Sequence, residues 1–225
     1  MPMNSTATDL PAPGEARELL LEGPAGRLEA LLAMPRQTPI GFCVACHPHP
    51  LFGGAMSNKV VYTLASCALK AGLAALRFNF RGVGRSTGLF DEGHGETEDT
   101  LAAVAWLRER MPAGAPLALA GFSFGAYVSL RAAAQAHPAA QISISIPFGR
   151  YVDNAPPPPH PGCPWLTVHS TDDEVVNYGD THAVLDRYQP PPQQVRYEGA
   201  GHFYHGRLIE LGETVLPFLQ QHFPS

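Results

Sequence analysis

The chain has 225 residues, 45% of them apolar, which is enough for one domain with a sizeable core. The formal net charge is −5 and the basic residues are scattered rather than clustered, which argues against a nucleic-acid footprint or attraction to an anionic membrane surface. No run reaches the ~20 apolar residues that a membrane span needs, and residues 1–15 are polar, without the basic-then-apolar order of a secretory signal. The expectation is a cytoplasmic protein with a flexible polar segment at 1–15 and a single domain over 16–225.

Residues 16–21 and 27–34 read as two strands joined by the turn Gly23-Pro24-Ala25-Gly26, a hairpin. The apolar run 40–46 is a buried strand. A helix over 57–71 stops at Gly72, a good C-cap. Residues 73–80 form a strand that leads into a glycine-rich loop. A helix over 97–111 is ended by Pro112 and Gly114. Further strands fall at 117–121, 141–146, 165–169 and 193–197, with helices at 124–136, 177–188 and 203–221. This alternation implies a mostly parallel sheet with helices on both faces, and so places ligands at the carboxyl ends of the strands. The proline-rich stretch 154–164 reads either as a stiff surface connection or as a small rim over that end.

Four cysteines (Cys43, Cys46, Cys67, Cys163) do not make a disulfide framework in a chain this long. Cys43-Val44-Ala45-Cys46-His47 fits the pattern for c-type haem attachment. It lies inside the apolar run 40–46, however, and haem attachment also requires export, so buried core cysteines are the preferred reading.

Gly121-Phe122-Ser123-Phe124-Gly125 matches Gly-x-Ser-x-Gly, in which small residues let a strand and a helix meet at a sharp turn that exposes a nucleophilic serine. The same pattern occurs at Gly84-Arg85-Ser86-Thr87-Gly88, but only Ser123 lies directly after an apolar strand and before an apolar helix. The remaining partners of a serine nucleophile are expected in the order acid, then histidine. After the strand at 165–169 come Asp172, Asp173 and Glu174. Asp173 is preferred as the acid, Asp172 and Glu174 read as loop and helix-start charge, and Asp153 is the outside alternative. His202, in Gly199-Ala200-Gly201-His202-Phe203, follows the last strand and is the candidate base. His205, three residues on, is expected to be helical.

The loop His47-Pro48-His49-Pro50-Leu51-Phe52-Gly53-Gly54 follows the third strand, where one oxyanion N–H is expected; the other comes from the residue after the nucleophile, Phe124. Pro48 and Pro50 have no N–H, which leaves His49 as first candidate and Leu51 as second. His47-x-His49 also has metal-ligand spacing, but a serine triad needs no metal and no cofactor.

These segments, with Asn58-Lys59-Val60-Val61 and Arg77-Phe78-Asn79-Phe80-Arg81-Gly82-Val83-Gly84, resemble a group of short bacterial α/β-hydrolases similar to dienelactone hydrolases and small esterases. The resemblance implies an eight-stranded sheet whose second strand is antiparallel, with little or no cap domain. Dienelactone hydrolases carry cysteine in the elbow; serine here favours ordinary ester chemistry. The expected activity is cleavage of small to medium carboxylic esters through an acyl-enzyme, with a small-molecule ester as substrate and neither nucleic acid nor membrane as partner. Phe122, Phe203, Tyr204 and Leu51 are the candidate substrate contacts, the three aromatics reading equally well as core. The alternatives are a thioesterase or amidase with the same triad, or a non-catalytic binding protein on the same scaffold.

Overall fold

The computed structural model describes residues 10–224, so most of the expected flexible segment at 1–15 lies outside the described residues. Eight strands form one sheet in the order β1-β2-β4-β3-β5-β6-β7-β8. β1 (Ala16–Gly23) and β2 (Gly26–Ala33) make an antiparallel hairpin, and β2 also runs antiparallel to β4 (Leu73–Phe78). Gly26 sits at φ +111, a conformation that explains why the tight turn ends on glycine. From β4 onward every neighbouring pair is parallel: β3 (Gly41–Cys46), β5 (Leu117–Phe122), β6 (Ala140–Ile144), β7 (Trp165–Ser170) and β8 (Gln193–Tyr197).

The central strands are apolar on both sides because helices cover both faces. On β3, Cys43 and Ala45 join the core with α1 (Lys59–Lys70) and α5 (Leu208–His222), while Phe42, Val44 and Cys46 join the opposite core with α2 (His94–Arg108) and α3 (Phe124–Ala136). The haem-like motif is therefore spread over two cores. Burial pushes the thiols of Cys43 and Cys46 up to about 12, so neither is a thiolate nucleophile at neutral pH. Both nitrogens of His47 are engaged: Nδ1–H donates to the Pro48 carbonyl at 2.6 Å and Nε2 accepts the Phe80 N–H at 3.0 Å. That leaves His47 no lone pair to offer a metal or a haem iron.

Two helix starts differ from expectation. α2 begins at His94 rather than at 97, because Glu96 accepts the N–H groups of Asp91 and Gly93 and so caps the preceding loop. α5 begins at Leu208 rather than at 203: Gly201, Tyr204 and Gly206 all have positive φ, so the intervening residues, His205 included, form turns. α4 (Tyr178–Leu185) is shorter than expected. The connection from β6 to β7 contains no helix and no cap domain. Its proline-rich part is tied to the body where Tyr188 Oη donates to the Pro158 carbonyl at 2.7 Å.

Candidate active site

Ser123 occupies the turn between β5 and α3 with φ +53 and ψ −123, a strained conformation for a residue with a side chain. The flanking glycines make that turn possible. A Cβ on Gly121 would lie 2.2 Å from the Gly125 carbonyl oxygen, and one on Gly125 would lie 2.4 Å from the carbonyl oxygens of both Cys46 and His47. The chain thus brings the start of α3 against the end of β3. At that start the Phe124 N–H has no carbonyl one turn earlier in the helix to receive it.

Ser123 is 6% exposed and its Oγ lies 3.1 Å from His202 Nε2. His202 Nδ1 lies 2.8 Å from Asp173 Oδ2 and 3.0 Å from Oδ1. Burial alone would raise the Asp173 pKa. Hydrogen bonds from His169 and His202, and then from the Val176 backbone, outweigh it and hold the carboxyl well below the usual carboxylate range. The other two acids of the loop also serve the histidine segment. Asp172 accepts the Ser170 hydroxyl at 2.6 Å and the Gly199 N–H at 2.9 Å, and Glu174 accepts the His202 N–H at 2.9 Å. Reading those two as free loop charge missed this. Asp153 is elsewhere, exposed and beside His94 at 3.4 Å.

Ser86 is a structural serine. Its buried hydroxyl donates to the Asn79 carbonyl at 2.7 Å and accepts the Glu29 N–H at 2.9 Å, stitching the loop after β4 to β2.

In the loop after β3, the Leu51 N–H is taken by His49 Nδ1 at 3.2 Å, which removes Leu51 as a loop donor. Gly54 folds back so closely that a Cβ there would lie 2.0 Å from the Pro48 carbonyl oxygen. The His49 ring sits among Phe52, Phe90, Phe124 and Tyr151 at centroid distances of 4.7, 4.8, 5.1 and 5.5 Å, and its burial lowers its pKa.

The candidate substrate contacts divide. Phe122 is fully buried with its ring 4.9 Å from that of His202, so it backs the imidazole and is no substrate contact. Tyr204 is also fully buried, its hydroxyl donating to the Val168 carbonyl and paired with Ser145 Oγ, both at 3.2 Å; it belongs to the core, not to a pocket. Phe203 at 44% and Leu51 at 67% exposure remain at the surface, joined by Phe52, Leu89 and Val175 on neighbouring loops at the same end of the sheet. His169, which the sequence did not single out, is buried 3.2 Å from Asp173 Oδ2.

The sheet order, the strained serine between two glycines and the absence of a cap define the class: an α/β serine hydrolase without a lid. A model of the family described as X-Pro dipeptidyl-peptidase (S15 family) matches residues 22–154. The chain is 38% identical to XC6422 from Xanthomonas campestris, an α/β serine hydrolase without lid, covering 96% of this chain and 99% of that one with a TM-score of 0.85. It is 39% identical to an α/β serine hydrolase homologue from Coxiella burnetii, covering 94% and 100% with a TM-score of 0.83. An uncharacterized protein of Rickettsia prowazekii (strain Madrid E) is 30% identical over 212 residues, 90% of this chain and 88% of that protein. The chain belongs to the S15 family of α/β hydrolases.

Proposed function

We propose that the chain is a carboxylic-ester hydrolase that works through an acyl-enzyme on Ser123. The observation that carries this reading is the position of His202, with one ring nitrogen on Asp173 and the other on the serine hydroxyl. In this reading Asp173 holds the His202 Nδ1–H and leaves Nε2 free to take the Ser123 proton as Oγ attacks the ester carbonyl. The Phe124 N–H and, from the loop after β3, the His49 N–H receive the oxyanion. His202 then hands its proton to the leaving alcohol, and the same base activates the water that releases the acid.

An ester is favoured over a peptide because the rim is apolar. Leu51, Phe52, Leu89, Val175 and Phe203 are exposed on the loops that follow β3, β4, β7 and β8, at the carboxyl ends of the strands, which suits an apolar acyl or alcohol group. The S15 family description names a peptidase, and amide or thioester cleavage would use the same three side chains.

Labelling with a fluorophosphonate, followed by a series of p-nitrophenyl esters of rising chain length beside an X-Pro p-nitroanilide, tests the reading. Covalent attachment at Ser123 with ester turnover is expected. Absence of labelling would favour a non-catalytic binding protein, and turnover of the anilide alone would overturn the ester assignment.

A further inference from the structure

His169 is the penultimate residue of β7 and is buried beside Asp173, whose Oδ2 also receives the His202 Nδ1–H. The His169 Nε2–H donates to the Val176 carbonyl at 3.0 Å, and the same nitrogen lies 3.2 Å from Asp173 Oδ2. Both oxygens require a donor, so the ring proton sits on Nε2. Its Nδ1 is buried without a hydrogen-bond partner. An imidazole with one nitrogen orphaned in the interior is a worse filler than an apolar ring of similar size. The feature that an apolar ring lacks is an N–H shared between the Val176 carbonyl and the carboxylate beside it.

We propose that His169 is a positioning residue for the acid: its Nε2–H fixes Asp173 Oδ2, so that the carboxylate keeps the orientation in which it accepts the His202 Nδ1–H. The inference rests on the triad reading above. The neighbouring N–H groups of Val175 and Val176, at 2.9 and 2.7 Å, hold Oδ1 alone, so His169 is the partner that fixes the other oxygen independently of the base. A carboxylate that also receives a second N–H attracts an imidazolium less strongly than an unshared one.

The titratable and charged groups around His169 are Asp173 on its own loop, Tyr178 and His182 from α4, and Arg196, its register partner on β8. Around His202 they are Asp173 and Glu174 from the acid loop and Ser123 from the elbow.

The test compares His169→Phe, which keeps a ring and loses the donor, with His169→Gln, whose amide N–H can reach the same oxygen. His169→Met, a flexible chain, is the second donor-free variant should the phenylalanine not fold. The donor-free variant should lose about 10- to 100-fold in kcat with KM little changed, as expected for loss of a hydrogen bond to a charged group. The acid limb of its kcat/KM profile should move to higher pH, and the glutamine variant should recover most of both. NMR titration of the His202 ring in a Ser123→Ala background reads the same shift without catalysis. Failure of Ser123 to label would remove the triad reading while leaving this titration to be judged alone. An unmoved His202 titration in the donor-free variant, or equal losses in the glutamine and donor-free variants, would overturn the proposal.

Discussion

The carboxylate of Glu174 accepts the backbone N–H of His202 at 2.9 Å, while the adjacent Asp173 accepts the Nδ1–H of the same residue at 2.8 Å. With Asp172 on the Gly199 N–H, three successive acids each grip a different point of one glycine-flanked loop. Gly201, at φ +59, gives that loop its turn but no rigidity of its own; the acids supply the rigidity from outside.

Glu174→Ala should therefore loosen the His202 loop. The loss of one charge-assisted bond to a backbone N–H costs about 1 kcal/mol or somewhat more at a site open to water. The expected result is a few-fold to tenfold fall in kcat with KM nearly unchanged. Glu174→Gln retains an acceptor oxygen and should behave like the wild type. Steady-state kinetics on one p-nitrophenyl ester settle the matter, and equal losses in the two variants would count against the gripping role.

Asp173→Asn keeps the shape of the acid and removes the charge that favours imidazolium and the right tautomer. In well-studied triads such a change lowers kcat by up to ~10⁴-fold. That result is expected here, while Asp172→Asn should cost only a few-fold, because its oxygen touches Ser170 and Gly199 and not the imidazole. A large loss in Asp172→Asn with little in Asp173→Asn would reverse the assignment.

Acid should weaken the fold in two stages. Burial lowers the His47 pKa to about 4, so between the ordinary histidine value near 6.5 and about 4 the unfolded chain takes up a proton that the folded one refuses. Stability falls as the pH drops through that window, by on the order of 3 kcal/mol for this one group. Asp173 acts lower down. Its folded pKa is depressed, so its contribution is complete above the unfolded carboxylate value of about 4 and drains away as the pH falls below it. Urea unfolding at a series of pH values should show the upper slope in the wild type and a flatter one in His47→Gln. An unchanged slope would mean that His47 does not stay neutral in the folded protein.

The elbow was legible in the sequence because its glycines answer a local steric demand that any strand–turn–helix of this kind makes. The same holds for the sheet, whose strands announce themselves as short apolar runs. The start of α5 was misplaced because Phe203 and Tyr204 look like the first turn of an apolar helix. Tyr204 in fact sits at φ +52, with its hydroxyl drawn inward to the Val168 carbonyl. Asp172 and Glu174 escaped for a different reason. Their roles are contacts between the loops after β7 and β8, segments some 30 residues apart, and no spacing within either loop encodes them. Asp173 could be preferred from its place in the chain, whereas His169, four residues earlier, reads only as the end of an apolar strand.

The two Gly-x-Ser-x-Gly segments give the sharpest contrast in outcome. Ser86 Oγ bridges the Asn79 carbonyl and the Glu29 N–H in a buried position, so Ser86→Ala leaves both backbone groups without that partner. That should cost about 1–3 kcal/mol of stability and leave fluorophosphonate labelling and ester turnover intact at a temperature where the variant is folded. Ser123 makes its side-chain hydrogen bond to His202 alone among the described residues, and its strained backbone is imposed by the close approach of Gly121 to Gly125 rather than by its hydroxyl. Ser123→Ala should therefore unfold at nearly the wild-type temperature while losing all labelling. Thermal unfolding and probe labelling of both variants, run side by side, separate the stitching serine from the reactive one. A labelled Ser123→Ala, or an unlabelled but folded Ser86→Ala, would place the nucleophile in the wrong loop.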